Sequence, residues 1–198
     1  MVRLAMRVKE AAAIYKTRKK VYTYQDYIEM PYDGKRYEII NGELIMPPAP
    51  NTIHARVSKR IYKKLLKYSQ DESIGEIFYS PIDVILEDTN VVQPDLLFIF
   101  KERSHIIKEE NIKGAPDFII EILSPLTAYY DLIEKKEMYA RFGVKEYWIV
   151  DPKKQRIEIH LNKENIFELR QRLDKEGEAK SDVLKGFQVD VKEIFKFE

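Results

Sequence analysis

An α/β fold with a mixed central sheet is the architecture that this 198-residue chain predicts. Three observations carry that prediction. The most apolar runs, over residues 91–100, 118–123 and 144–150, are short and nearly continuous, as strands buried on both faces are. Amphipathic stretches over 51–69 and 127–142 have helical spacing and helical length. The order helix, three strands, helix, strand then places helices against a sheet rather than strands against strands.

Each element has its own signal in the sequence. Ala11-Ala12-Ala13-Ile14 gives residues 8–20 high helix propensity. Thr23 is a candidate N-cap for a short helix through Glu29. Residues 37–46 read as a hairpin, because Asn41-Gly42 supplies the positive φ angles of a two-residue turn. Met46-Pro47-Pro48-Ala49-Pro50 closes it with a stiff connector. Asn51 or Thr52 can cap the helix to about Ser69, whose buried stripe is Val57, Ile61, Leu65 and Tyr68. Residues 76–86 read as an extended stretch interrupted by Pro81, and 101–113 form a polar segment without a clear period. Ser124-Pro125 ends the 118–123 strand, and Gly143 is a natural left-handed stop for the 127–142 helix. Residues 156–160 and 166–169 alternate as hairpin strands do. A final strand and a helical turn close the chain over 184–195.

Bulk composition narrows the function. The chain has no cysteine, which excludes thiol catalysis, zinc–cysteine knuckles and iron–sulfur clusters. A chain of this size buries roughly 70% of its unfolded surface and needs no disulfide to fold. No apolar stretch approaches the roughly 20 residues of a membrane helix, and no signal-peptide core is evident, so a cytoplasmic location without membrane partners is expected. The net charge of +1 conceals an asymmetry, since residues 1–20 hold seven basic side chains against Glu10 alone. Such an arm suits phosphate contact or simple solvation. The expected organisation is therefore a basic extension over 1–21 and one domain over 22–198.

Two carboxylates stand where strands should be apolar: Asp95, at the start of Leu96-Leu97-Phe98-Ile99-Phe100, and Glu121, within Phe118-Ile119-Ile120-Glu121-Ile122. A buried ionised carboxylate costs several kcal/mol unless cations or hydrogen bonds compensate it. Two such acids on strands that can be neighbours suggest a shared divalent metal. Lys135 interrupts the apolar stripe Ala128, Leu132, Lys135, Tyr139, Phe142. Asp131, Lys135 and Tyr139 stack on adjoining turns. Lys135 can thus extend toward Glu121 and offset charge on a phosphorane-like transition state. Its plainer alternative is a snorkelling lysine paired with Asp131. Asp95 could instead cap a loop, and Glu121 could be held by a tyrosine or lysine. His54 lies in the first helical turn after the Pro-rich connector, as a core histidine or a site residue. Glu38 could complete the carboxylate set or face water, and Glu43 has the weaker case. Asp83 is open between a supporting and a structural role. Oxygen ligands of this kind suit Mg²⁺, which is commonly held by one or two carboxylates with water and phosphate completing its shell. No Walker loop, G-x-G-x-x-G, H-E-x-x-H or G-x-S-x-G motif is present.

The ordered set Tyr37-Glu38-Ile39-Ile40-Asn41-Gly42-Glu43-Leu44, His54, Gln93-Pro94-Asp95, Glu121-Ile122-Leu123-Ser124-Pro125, Asp131-x-x-x-Lys135-x-x-x-Tyr139, Gly143 to Asp151 and Leu184-Lys185-Gly186-Phe187 resembles the Uma-two family of restriction endonucleases. That family lies within the PD-(D/E)xK nuclease superfamily, and the resemblance spans roughly residues 22–195. It implies a restriction-endonuclease-like αβββαβ core with an N-terminal hairpin and C-terminal β additions. It also implies Mg²⁺, with Mn²⁺ as a substitute, held by Asp95 and Glu121. The superfamily's lysine normally stands two residues after the second acid, where this chain has Leu123. The resemblance then implies that Lys135 takes the role, with Glu38 as third acid and His54 lining the site. DNA is the implied substrate, and cutting both strands makes a homodimer the expectation. The alternative is a catalytically silent nuclease fold that binds DNA or protein.

Overall fold

The structure, a computed structural model, describes residues 20–31, 33–72 and 74–196. The basic arm, with the helix expected over 8–20, lies outside them save for Lys20. In α1 (Tyr24–Ile28) the Thr23 hydroxyl accepts from Asp26 N, while the Asp26 carboxylate accepts from Thr23 N. The hairpin follows as β1 (Glu38–Ile40) and β2 (Glu43–Ile45), with φ of 51° at Asn41 and 76° at Gly42. Asn51 supplies the cap of α2 (Thr52–Glu72), its side chain accepting from His54 N at 2.9 Å. Val57, Ile61 and Leu65 are fully buried along its inner face.

The next stretches depart from their expected form. Residues 76–86 belong to two strands, β3 (Gly75–Tyr79) and β4 (Val84–Glu87). Residues 91–100 likewise divide into β5 (Asn90–Val92) and β6 (Leu96–Phe100). The members of each pair lie in different sheets. The physical reason is proline: Pro81 and Pro94 lack the amide hydrogen that a continuing ladder needs. Gln93-Pro94-Asp95 is thus the crossing between sheets rather than the middle of a strand. A 3₁₀ turn (Lys101–Ile106) and the short β7 (Ile112–Lys113) give 101–113 the structure its composition did not reveal.

β8 (Phe118–Ile122) leads into a helical segment with a π turn over Tyr130–Glu134 and then α3 (Lys135–Arg141), ended by Gly143 at φ 86°. β9 (Glu146–Asp151), β10 (Arg156–Lys163) and β11 (Ile166–Asp174) follow. The short pair β12 (Glu178–Lys180) and β13 (Gln188–Asp190) and the turn α4 (Val191–Phe195) complete the chain.

A six-stranded sheet in the order β11-β10-β9-β8-β6-β3 forms the centre, parallel only between β8 and β9. The helix between those two strands provides the crossover that a parallel pair requires. One face packs Leu96, Phe98, Phe118, Ile120, Trp148 and Val150 against α2 and the C-terminal β12, β13 and α4. The other packs Leu97, Ile99, Ile119, Tyr147 and Ile149 against Met138 and Tyr139 of α3. That second face also meets Ile40, Ile45, Val84 and Val92 from a five-stranded sheet ordered β2-β1-β5-β4-β7. Among the described residues, no helix is long and apolar enough to cross a membrane.

Candidate active site

Strand register brings the two anomalous acids together. β6 and β8 are antiparallel, with Leu96 opposite Ile120, so one further step sets Asp95 opposite Glu121. Directly opposed residues of an antiparallel pair share a sheet face, with Cβ atoms about 5 Å apart. Alternation puts Glu121 on the α3 face, because Ile120 and Ile122 belong to the opposite core. Cross-bonds tie the two together: Ile122 N donates to Asp95 Oδ2 at 2.8 Å, and Asp95 N donates to Glu121 Oε2 at 3.3 Å.

Lys135 is delivered from the crossover helix into the middle of the acids. Its Nζ lies 3.0 Å from Glu121 Oε1, 3.1 Å from Glu38 Oε1 and 3.5 Å from Asp131 Oδ1. All four side chains are at most 6% exposed, so this is no snorkelling lysine. The buried face of the segment also differs from the expected stripe. Asp131 is buried and Leu132 is exposed, because a π turn adds a residue and shifts the helical phase. Lys135 N donates to the carbonyl of Tyr130, five residues back. Below Lys135, Tyr139 donates its hydroxyl to Glu121 Oε1 at 2.9 Å.

Glu38 resolves from its open reading into the buried cluster, held by Gln93 N at 2.7 Å. Glu43 is exposed on the other hairpin strand. Asp83 stands one layer back, where its Oδ1 accepts from Gln93 Nε2 and from the Tyr27 hydroxyl, fixing the crossing loop from behind. His54 Nε2 meets Asp95 Oδ2 at 3.0 Å from the first turn of α2. Leu123 packs in the apolar core beside α3 and does not line the cleft that holds the acids. The cleft is small, with a volume of about 50 Å³, and Pro47, Pro48, Pro50, Thr127 and Tyr130 wall it above the acids.

The electrostatics follow from crowding. Glu38, Glu121 and Asp131 share Lys135 in a buried cluster, while Asp95 beside them pairs with His54 and Arg36 lines the same cleft. Burial pushes Glu121 up to about 8; Lys135 pulls it down, but Asp131, Asp95 and Glu38 push it further up. Burial likewise raises Asp131 to about 6 against the attraction of Lys135. Lys135 loses solvation on burial, yet its three acids hold its pKa well above the ordinary value. Burial lowers His54, but the hydrogen bond and charge of Asp95 overcome it and the net shift is upward.

Whether this donor set suits a divalent cation turns on which oxygens are engaged. Asp95 Oδ2 is taken by His54 and Ile122 N, and Glu121 Oε1 by Lys135 and Tyr139. Asp95 Oδ1 accepts no hydrogen bond among the described residues, and Glu121 Oε2 accepts only the long one from Asp95 N. Among the described residues no set of three or more His, Asp or Glu side chains is grouped to hold a metal. Two hard oxygens and a surplus of negative charge fit Mg²⁺, which needs only one or two protein carboxylates.

Asp131, Tyr139 and Gln93 are members of the cluster that sequence reasoning did not single out as site residues. Their signals were the four-residue spacing through Lys135 and the Gln-Pro-Asp crossing.

The fold is a mixed α/β architecture of the restriction-endonuclease-like kind. Residues 24–192 match the family model described as "Uma2: Putative restriction endonuclease", and the chain belongs to that family. A crystal structure of a "putative nuclease belonging to DUF820" from Anabaena variabilis ATCC 29413 shares the fold at a TM-score of 0.74. It has 19% sequence identity, over 87% of this chain and 97% of that one. No curated protein matches the chain.

Proposed function

We propose that this chain is a Mg²⁺-dependent nuclease that hydrolyses phosphodiester bonds in DNA, with Mn²⁺ as a substitute. The reading is carried by the crowding of acids in the cleft: Glu38, Glu121 and Asp131 are buried around one ammonium, with Asp95 beside them on His54. Such an excess must be relieved by protonation or by another cation. Membership of a restriction-endonuclease family favours the cation. Asp95 and Glu121 would hold it through Oδ1 and Oε2. A bound Mg²⁺ supplies an acidified water and a counter-charge for the scissile phosphate.

The chain's own residues do the rest of the work. Lys135 fixes the Glu121 carboxylate and offers an ammonium near the reacting phosphate. Tyr139 holds the same carboxylate from beneath and prevents it from turning. His54 is a positioning residue that fixes Asp95 Oδ2 and leaves Oδ1 to the cation. Glu38 anchors Lys135 from the second sheet.

Glu121→Gln is expected to abolish Mg²⁺-dependent cleavage of plasmid DNA while keeping or raising the melting temperature in EDTA. Unchanged cleavage by Glu121→Gln would end this reading. The engagement of the Lys135 ammonium by three carboxylates favours one alternative, a nuclease fold that binds without cutting. Calorimetric titration separates the two, because millimolar Mg²⁺ or Mn²⁺ binds the nuclease and not the silent module. One centre for each strand of a duplex would call for a homodimer, and sedimentation equilibrium showing a mass of one or two chains decides it.

A further inference from the structure

Beside the acidic cleft, and sharing Arg36, Pro50, His54 and Asp95 with it, runs a second groove of about 450 Å³. Its floor comes from one face of α2, where Ser58 and Tyr62 follow His54 at four-residue steps. Its far wall is the end of β3. Tyr79 there, on the edge strand of the sheet, is 58% exposed. Tyr62 meets Tyr79 edge-on, with centroids 5.1 Å apart and planes at 68°. Whichever ring presents its edge, at least one Tyr79 face stays uncovered by Tyr62. Ser80 N donates to the Asp95 carbonyl, so this wall is tied to the acid itself. The Ser80 hydroxyl is buried, without a hydrogen-bond partner among the described residues. Arg36 and Lys59 line the groove, and neither makes an ion pair among the described residues. The Arg36 guanidinium is held in place by Gln93, with Nε 2.9 Å from Oε1.

An uncovered aromatic face beside two cations that make no ion pair among the described residues is what an unpaired nucleotide uses: ring for base, cations for phosphates. A base stacked inside a duplex offers none of its face to such a wall. The acids lie at the bottom of a proline-walled recess, nearly buried, and a single strand can lead its phosphate into it more readily than a rigid helix. The volume is in the range of small-ligand sites, enough for one or two nucleosides.

We propose that this groove receives unpaired nucleotides adjoining the scissile phosphate, with a base stacked on Tyr79, so that the substrate enters as a single strand. The proposal rests on the nuclease reading for the location of the reacting phosphate. Its test does not depend on cleavage. Fluorescence anisotropy is recorded in EDTA with labelled single-stranded DNA, single-stranded RNA and duplex DNA of about 12 nucleotides, within the span of such grooves. Single strands are expected to bind the wild-type chain more tightly than the duplex. Tyr79→Ala should weaken single-strand binding by about 5- to 100-fold, with duplex binding unchanged and Tyr79→Phe close to wild type. Substituting Arg36 or Lys59 by Gln should each make the salt dependence of single-strand binding shallower. Tighter RNA than DNA binding would keep the groove and change the polymer. Equal or tighter duplex binding, no binding of any oligonucleotide, or an unaffected Tyr79→Ala would overturn the proposal. Cleavage that survives such a result leaves the nuclease reading standing, and selective single-strand binding without cleavage leaves the groove standing.

Discussion

Lys135 is where local and global forces meet. The ammonium holds the pKa values of its three carboxylates down, although burial still leaves Glu121 at about 8 and Asp131 at about 6. Removing the cation of a buried charge cluster leaves its acids uncompensated and costs about 3–5 kcal/mol. Lys135→Met should therefore destabilise the chain by about that amount near pH 8.5 in EDTA. The loss should shrink near pH 5. Without the ammonium the buried carboxyls take still higher pKa values in the folded state than in the unfolded one, so stability is retained at low pH and falls as pH rises through those values. Chemical denaturation at the two pH values measures the difference. A pH-independent loss would show that Lys135 acts through packing alone. Tyr139 and Asp131 belong to the same unit, and effects of substituting them should not add to that of Lys135.

Among the elements, the β1–β2 hairpin and the π turn determine whether the cluster exists. Glu38 reaches Lys135 because Asn41 and Gly42 both take positive φ and fold the hairpin tightly, with Gly42 N donating to the Thr89 carbonyl. A Cβ at Gly42 would stand 2.6 Å from Val21 Cγ1 while holding φ at 76°. Gly42→Ala should cost about 1 kcal/mol or more for the left-handed backbone. A melting temperature equal to wild type would contradict that conformation. The π turn acts on the other side of the site. It turns Asp131 inward and anchors the segment through the Tyr147 hydroxyl, which donates to the Asp131 carbonyl at 3.0 Å. Heptad-like spacing suggested Leu132 for that inward position, and no residue pattern announced the extra residue in the turn.

Across the fold, acid stability has a separate origin at His160, on β10 beside a bulge in its pairing with β11. Burial lowers this histidine to about 4, with Lys136 and Arg172 adding to the shift and Glu158 opposing it. Its folded pKa is depressed below the unfolded value. The unfolded chain therefore binds the proton first, and stability drains away as pH falls from about 6.5 toward 4. Between pH 7 and pH 4.5 that contribution is about 2 kcal/mol. His160→Gln should lose about that much less stability than the wild type over the same interval, as urea titrations at both pH values would show. An identical acid limb in the two proteins would place the charge elsewhere.

How much of this was legible before the structure depends on whether the signal was local. Periodicity, turn residues and caps are local, and they announced α2, the hairpin, β8 and the stop at Gly143. An acid in an apolar run is local too, and it pointed to Asp95 and Glu121 together with the lysine four residues from Asp131. Which strands become neighbours is not local. Pro94 marks where residues 91–100 break, but the assignment of the two halves to different sheets, and the arrival of Glu38 from the second sheet, follow from how the sheets pack. The extra residue that turns Asp131 inward is set by packing against Tyr147. The groove at Tyr79 has the same character, because α2 and β3 meet there only in three dimensions. Side-chain chemistry was thus written along the chain, while the convergence of three acids on one ammonium, with Asp95 alongside, needed long-range contacts whose energy no short stretch of sequence encodes.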